Sequence, residues 1–154
     1  PEWAASSGVP VVVIENLGAV TDGLVSDTET QAQEVAYLAG VMAALETKTG
    51  TVAVVVSGEP PTWNYMTPGF AKGVHDTDPD VEVLYNVIGE AAYDDAPNAR
   101  RVTETVIAAG ADIVFGMGDG ASFGMVQAIR EGTEVAVPGE QGLVVTGPHD
   151  ARTP

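Results

Sequence analysis

The sequence predicts an α/β fold, a doubly wound parallel sheet with helices on both of its faces. Short valine-rich apolar runs recur along the chain, and between them lie segments whose apolar residues repeat at helical spacing. Clusters of Gly, Pro, Asp and Ser separate the two kinds of segment. Short buried strands that alternate with helices of ten or more residues are typical of parallel sheets.

The first half of the chain begins with a buried strand over residues 9–14 and a crossing loop that reaches Asp27. A helix follows from Thr28, with Gly50 just past its end and apolar residues at three- and four-residue steps, namely Val35, Leu38, Ala39, Met42 and Leu45. Residues 51–56 form the plainest buried strand. The next helix is expected over residues 64–74, kinked or late in starting because Pro68 lacks an amide hydrogen.

The second half continues the alternation to the end of the sheet. Strands are predicted at residues 81–87, 112–115 and 134–137, and helices at 96–109 and 120–131. Residues 143–146 offer one more strand. We therefore expect four or five parallel strands.

Charge and composition exclude several classes of protein. The chain has 154 residues, 22 Asp and Glu against 6 Lys and Arg, and a formal charge of −16. Such a surface repels phosphate backbones, so nucleic acid is not an expected partner. With no cysteine, disulfides, thiol catalysis and cysteine metal sites are excluded. Residues 1–154 begin without Met or a leader and end just after a strand, which suggests a piece of a longer protein.

Two motifs of enzymes occur at the predicted turn before the last helix. Gly116, Gly118 and Ala121 have the spacing of a dinucleotide-binding turn, but Asp119 would place a carboxylate inside the phosphate cradle. Ser122 lies in a G-x-S-x-G sequence, for which Glu140 and His149 would have to complete a hydrolase triad. Tight turning and a helix-start hydrogen bond by Ser122 are the simpler interpretations.

The strand-end loops indicate binding rather than catalysis. In open parallel sheets, ligands bind beyond the carboxyl ends of the strands, which here are residues 57–63, 86–94, 116–122 and 138–141. These loops offer glycine backbone, the indole of Trp63, the ring of Phe115 and carboxylates, with no base, metal cluster or phosphate-binding lysine. That set suits a neutral or polyhydroxyl ligand, and no cofactor is expected.

Several segments resemble one known family. Residues 34–41 (EVAYLAGV), 69–73 (GFAKG), 110–115 (GADIVF), the Gly-rich turn 118–124 and residues 139–141 (GEQ) resemble, in order and separation, motifs of the basic membrane protein family. These are lipoproteins of the purine nucleoside receptor type that serve as substrate-binding proteins of ABC transporters. The resemblance extends from about residue 10 to residue 146.

The resemblance implies one lobe of a type I periplasmic-binding-protein fold. Residues 1–27 would be the last part of the first lobe and the crossing segment, 28–142 the second lobe, and 143–154 the return crossing or tail. It also implies an extracytoplasmic receptor, held at the cell membrane by an anchor outside this chain, with a permease as partner and a nucleoside or related polyhydroxyl compound as ligand.

The same resemblance implies the ligand-binding residues. The family's base-stacking ring maps onto Phe115, and Gly118 and Asp119 lie in the adjacent turn. Trp63 is the substitute ring, because it lies in a Pro-rich loop after a strand, where ligands of open sheets bind. Pro138 replaces the Asp that binds the ribose hydroxyls, and proline offers no side-chain acceptor, so Glu140 is the expected substitute. Phe115 has a second interpretation as a core residue. Alternative functions are an α/β enzyme, either a serine hydrolase or nucleotide-dependent, and the ligand-sensing domain of a transcriptional regulator.

The scarcity of lysine beside abundant acid predicts adaptation to high salt. Because dissolved ions shorten the range of repulsion between like charges, the free energy of unfolding should rise between low and molar salt. Urea unfolding at several salt concentrations measures this change. A protein that loses stability over that range would contradict the halophilic interpretation.

Overall fold

The computed structural model describes residues 2–14, 20–132 and 143–146. The chain divides into two compact units, Pro1–Ala32 and Gln33–Pro154. In order, the elements are α1 (Glu2–Ser7), β1 (Val11–Ile14), β2 (Val25–Thr28), α2 (Ala32–Glu46), β3 (Thr51–Val56), α3 (Pro61–Thr77), β4 (Glu82–Val87), α4 (Ala96–Ala108), β5 (Ile113–Met117), a 3₁₀ turn (Asp119–Ala121), α5 (Ser122–Gly132) and β6 (Leu143–Thr146).

The first unit contains a parallel pair of strands. β1 pairs with β2 in a register that places Val11 beside Val25 and Ile14 beside Thr28. The sequence predicts a crossing loop where β2 lies, so that prediction is wrong for Val25–Thr28, and α2 consequently begins at Ala32 rather than at Thr28. β1 is also less buried than its valines suggest, because alternate side chains face solvent.

The second unit is built on a sheet with strand order β4-β3-β5-β6. β3 pairs in parallel with both β4 and β5, which confirms the predicted parallel core, whereas β6 runs antiparallel to β5. The predicted strand at 134–137 lies outside the described residues. Side chains of β3 alternate between two apolar clusters: Val52 and Val54 pack with α2 and α3, and Ala53 and Val55 with α4 and α5. Helices therefore cover both faces, as predicted.

The helix α3 differs from its prediction. It begins at Pro61, three residues earlier than expected, and continues through Pro68 to Thr77. Pro60 is extended and Pro61 occupies the first helical turn, where no amide hydrogen is needed. Pro68 leaves the carbonyl of Asn64 without its usual partner, but both residues are exposed, so water can satisfy that carbonyl.

Glycines allow α2 and α3 to touch through their backbones. A Cβ atom on Gly40 would collide with the carbonyl oxygen of Phe70, and one on Gly73 with that of Tyr37. At Gly69 a Cβ would come within 2.5 Å of the Gln33 carbonyl oxygen. These close contacts use the small residues of α2, so its buried face consists of Ala36, Gly40, Ala43 and Ala44.

The large apolar residues of α2 therefore face outward. The side chains of Val35, Leu38, Met42 and Leu45 are 67%, 62%, 58% and 67% exposed. Helical spacing correctly predicts the helix here, but the residues that produced the signal are not the ones buried against the sheet.

A carboxylate ties the end of α2 to the start of β5. Asp112 accepts hydrogen bonds from the Thr47 hydroxyl at 2.6 Å and from the backbone amides of Lys48 and Thr49 at 2.6 and 3.1 Å. Charge-assisted bonds of this kind are stronger than neutral ones. Residues 34–41 and 110–115, two of the segments that resemble the family, thus belong to elements that these hydrogen bonds connect.

The glycine contacts make a direct prediction. Gly40→Ala should lower the free energy of unfolding by about 1–3 kcal/mol, because the added methyl group must push α3 away although alanine favours an isolated helix by about 1 kcal/mol. Gly89→Ala is the control, since its Cβ would meet only the Ala92 methyl group at an ordinary 3.4 Å. Urea unfolding of both variants measures the difference. Equal stability of the two variants would contradict the close helix contact.

Candidate functional site at the carboxyl edge of the sheet

The carboxyl ends of β3, β4 and β5 meet at one edge of the second unit, where backbone hydrogen bonds hold their loops together. The Ser57 amide donates to the Met117 carbonyl at 2.9 Å, and the Ile88 amide to the Val56 carbonyl at 2.7 Å. The Ser57 carbonyl in turn accepts from the Ala92 amide at 2.7 Å. Because these bonds fix the backbone, side chains at this edge are held in defined positions, as recognition of a ligand requires.

Ser57 is the polar residue that directly follows the valine strand β3. Its side chain is fully buried, and its hydroxyl has no hydrogen-bond partner among the described residues. Most buried polar atoms in native proteins have a partner, so an orphaned hydroxyl needs a reason. The sequence places Ser57 in a strand-end loop but does not single it out. The signal that could have identified Ser57 in the sequence is a polar residue directly after a run of apolar ones.

An aromatic pair lies at the same edge. Trp63 and Tyr93 meet edge to face, with ring centroids 5.8 Å apart and ring planes at 75°. Trp63 lies in the first turn of α3 rather than in the predicted loop, and it is half-buried. Gly58 makes room for the pair, because a Cβ there would lie 3.2 Å from the Tyr93 ring. Sequence reasoning missed Tyr93, whose partner is thirty residues away along the chain.

The turn after β5 contains the predicted residues Gly118 and Asp119. Gly118 is buried, and a Cβ on it would lie 2.7 Å from the Met125 methyl carbon and 3.0 Å from the Ser122 amide nitrogen. Asp119 is exposed and has a φ of 46°, in the left-handed region that side chains other than glycine seldom adopt. Such local strain often accompanies function. The Ala121 amide donates to the carbonyls of Tyr93 and Gly118 at 2.7 and 2.8 Å, which fixes this turn against the loop after β4.

Phe115 lies in the middle of β5. Its side chain is 2% exposed and stacks on Phe70, with centroids 4.9 Å apart and planes at 3°. This geometry corresponds to the core role that the sequence analysis sets beside the ligand role. Glu140, together with Pro138 and Gln141, lies outside the described residues.

Glu59 and Tyr85 form a hydrogen bond across the loops. The Tyr85 hydroxyl donates to a carboxylate oxygen of Glu59 at 3.0 Å. Partial burial of the phenol, aided by the neighbouring carboxylate, raises the pKa of Tyr85 to about 12. The phenol therefore remains a donor at neutral pH, and Glu59 is held beside the start of α3.

The charge at this edge is negative. The loops 57–61, 88–95 and 118–121 contain five acidic residues and no Lys or Arg, the acids being Glu59, Glu90, Asp94, Asp95 and Asp119. Asp95 is partly used, because its carboxylate accepts from the Asn98 amide and caps α4. Phosphate groups would be repelled here, whereas hydroxyl groups would find acceptors.

The enzyme motifs have structural explanations in the described residues. The sulfur of Met125 would lie 2.7 Å from a Cβ on Gly116, and its methyl carbon equally near one on Gly118, so these glycines admit Met125 rather than a pyrophosphate. Ser122 begins α5. His75, the one histidine that the structure describes, lies in the last turn of α3, whereas α3 begins at the carboxyl edge with Pro61.

Within the described residues, no group of three or more His, Asp and Glu is arranged to bind a metal ion. None of the described helices is both long and apolar enough to cross a bilayer.

Known proteins are similar to this chain in sequence and in fold. A family model described as PnrA-like ABC transporter substrate-binding protein matches residues 19–137. The transcriptional activator protein med of Bacillus subtilis (strain 168) is 31% identical over 119 residues, which are 77% of this chain and 36% of that protein. This chain therefore spans about a third of the length of that relative.

Solved structures of known proteins are similar to this chain in fold. A transcriptional activator of the comK gene from Bacillus halodurans superposes with a TM-score of 0.68 at 23% identity, over 81% of this chain and 41% of that one. A solute-binding protein of an ABC transporter system from Aeropyrum pernix K1 superposes with a TM-score of 0.70 at 24% identity, over 79% and 36%. The predicted fold, one lobe of the type I periplasmic-binding-protein class, is confirmed. The resemblance noted in the sequence is confirmed too: the chain belongs to the family of PnrA-like ABC transporter substrate-binding proteins.

Proposed function

We propose that this chain is the ligand-binding second lobe of an extracytoplasmic receptor that delivers a small solute to an ABC importer. The observation that carries this proposal is the carboxyl edge of the sheet, where rings and hydrogen-bonding groups converge and the described loops 57–61, 88–95 and 118–121 contain no histidine or lysine. Trp63 and Tyr93 supply the rings, Ser57 an unused hydroxyl, and Asp119 an exposed carboxylate. Substrate-binding proteins of two lobes close on their ligand by a hinge, and an edge of this kind is one half of such a site.

The ligand class that suits this edge is neutral and rich in hydroxyl groups, and a nucleoside is the specific candidate. Aromatic rings stack on a base, and carboxylates accept from ribose hydroxyls. The proposed ligand-binding residues are Trp63, Gly118, Asp119 and Glu140, whereas Phe115, the other candidate ring, is expected to act in the core beside Phe70. Ser57 joins them because its hydroxyl is the one buried side-chain polar atom at this edge, among the described residues, that has no hydrogen-bond partner.

A second function has support of its own. Both the Bacillus subtilis relative and the Bacillus halodurans structure are transcriptional activators, so the same lobe can belong to a regulator that senses a ligand. The sequence upstream of this chain in its parent distinguishes the two functions. A secretion signal with a lipid-attachment cysteine supports the receptor, and a DNA-binding helix pair supports the regulator.

The two rings give different predictions in the complete two-lobed parent protein. Trp63→Ala should weaken nucleoside binding by about 5- to 150-fold, the effect of about 1–3 kcal/mol of lost stacking. It should lower the melting temperature less than Phe115→Ala does, because Trp63 is only partly buried where it packs against the core. Phe115→Ala should lower the melting temperature, because it leaves a cavity beside Phe70. Isothermal titration with guanosine, adenosine, a pentose and an amino acid, paired with thermal unfolding, measures both effects.

Phe123→Ala is the matched control, since that ring is 78% exposed on α5 and has no proposed role in binding. A Phe115→Ala variant that loses binding at an unchanged melting temperature would instead assign the stacking role to Phe115. If no nucleoside binds the unmodified parent, the nucleoside assignment is wrong, and binding of the pentose or the amino acid would identify the ligand class.

Ser57→Ala tests the orphaned hydroxyl. Because the hydroxyl has no partner among the described residues, its removal should leave the free energy of unfolding unchanged or raise it by up to about 1 kcal/mol. Ligand affinity should fall by about 5- to 30-fold, as expected for the loss of one buried hydrogen bond of about 1–2 kcal/mol. A Ser57→Ala protein that is clearly destabilised and binds normally would show that the hydroxyl is structural.

A further inference from the structure

Glu59 is an exposed carboxylate whose position is fixed at two points. It lies in the loop that joins β3 to α3, and its backbone carbonyl accepts a hydrogen bond from the Asn64 side-chain amide at 3.0 Å. Its carboxylate oxygen Oε1 accepts from the Tyr85 hydroxyl at 3.0 Å. A free glutamate loses rotamer freedom when it binds a ligand, whereas these bonds restrict Glu59 before any ligand arrives.

Most of the hydrogen-bonding capacity of this carboxylate is unused. An ionised carboxylate has about four acceptor positions on its two oxygens, and the Tyr85 hydroxyl occupies one of them. The ion pairs among the described residues all involve Lys72 or Arg100, and neither of these pairs with Glu59. Within the part of the chain that the structure describes, oxygen Oε2 and one side of Oε1 thus remain available to donors of a ligand.

Tyr85 is suited to hold Glu59 in place. Its backbone is part of β4 and lies opposite Val54 of β3, so the sheet fixes the point from which the ring extends. Partial burial raises the pKa of Tyr85 to about 12, so the hydroxyl keeps its proton at neutral pH and donates a hydrogen bond to Glu59. A phenylalanine at this position would keep the ring and remove only the donor.

Glu59 directly follows the residue against which the aromatic pair packs. A Cβ atom on Gly58 would lie 3.2 Å from both Cε1 and the hydroxyl oxygen of Tyr93, and Tyr93 contacts Trp63 edge to face. A ligand ring that stacks on this pair consequently has the loop of Glu59 as its neighbour. Aromatic surface beside a few fixed polar groups is the usual composition of a site for a small molecule.

We propose that Glu59 binds two neighbouring hydroxyl groups of the ligand, and that Tyr85 is the positioning residue that holds the carboxylate for this contact. This assignment rests on the proposed function, in which the ligand is rich in hydroxyl groups. Two hydroxyls on adjacent carbon atoms can each donate to a different oxygen of one carboxylate, and such charge-assisted bonds are stronger than neutral ones. The chemistry that Glu59 recognises is therefore a vicinal diol, whether it belongs to a free sugar or to the ribose of a nucleoside.

Removal of one hydroxyl from the ligand, combined with removal of the carboxylate, tests this contact. In the complete two-lobed parent protein, isothermal titration should show that guanosine binds at least about 10-fold more tightly than 2′-deoxyguanosine, as the loss of one charge-assisted hydrogen bond predicts. Glu59→Ala should weaken guanosine binding by about 10- to 100-fold and reduce that preference to less than about 3-fold. The same pattern with ribose and 2-deoxyribose would support the proposal for a free sugar.

Glu90→Ala is the matched control, because it removes the same charge from another exposed glutamate of this edge. Charges on the surface are screened by salt, so this variant should change guanosine binding by less than about 2-fold. A loss as large as that of Glu59→Ala would show that the general negative charge of the edge, and not a contact with Glu59, is what the ligand requires.

Tyr85→Phe tests the positioning role. It releases the carboxylate without removing it, so guanosine binding should weaken by about 3- to 10-fold with little change in melting temperature. In the double variant Y85F/E59A, the loss should be no greater than for Glu59→Ala alone, because Tyr85 acts only through Glu59. A purely structural effect of the tyrosine would instead add to the effect of Glu59→Ala.

Three results would overturn the proposal while leaving the receptor function intact. They are equal binding of guanosine and 2′-deoxyguanosine by the unmodified parent, a Glu59→Ala variant that keeps the preference, and additive effects of Tyr85→Phe and Glu59→Ala. If neither a nucleoside nor a pentose binds the unmodified parent, the proposed ligand class is wrong, and the assignment of Glu59 fails with it.

Discussion

The backbone contact between α2 and α3 is the constraint on which much of the second unit depends. Gly40 on one helix and Gly69 and Gly73 on the other let the two helices approach until only hydrogen atoms separate their main chains. A side chain at any of these positions would push α3 away from the sheet. Because α3 begins at the carboxyl edge with Pro61 and Trp63, this contact also determines where the half-buried indole lies.

The same contact explains why α2 presents its large residues to solvent. The inner face has room only for Ala and Gly, so Val, Leu and Met occupy the outer one. The carboxylate of Asp112 fixes the end of α2 against the start of β5.

The carboxyl edge combines rigid backbone with unused side-chain chemistry. Hydrogen bonds join the loops after β3, β4 and β5, so the rings of Trp63 and Tyr93 and the strained residue Asp119 project from a fixed frame. The basic residue Arg100, in the second turn of α4, is engaged elsewhere: Glu104 and Glu131 bind its guanidinium and raise its pKa. The edge thus keeps its negative charge, which suits a hydroxyl-rich ligand and not a phosphate.

The sequence by itself determined the fold class, the parallel strands and the family. The signals for these, namely the spacing of apolar residues, the turn residues and the short motifs, are local and can be recognised along the chain. β3 and α4 appear where the pattern places them, as does the glycine-rich turn after β5. Tertiary structure alone decided which face of α2 is buried, since that depends on glycines of another helix. It also decided that Phe115 stacks on Phe70, that Trp63 contacts Tyr93, and that the Ser57 hydroxyl has no hydrogen-bond partner among the described residues, because each depends on contacts between residues far apart in the chain. The spacing of apolar residues indicates that a segment has an apolar side, whereas tertiary packing determines which residues that side contacts.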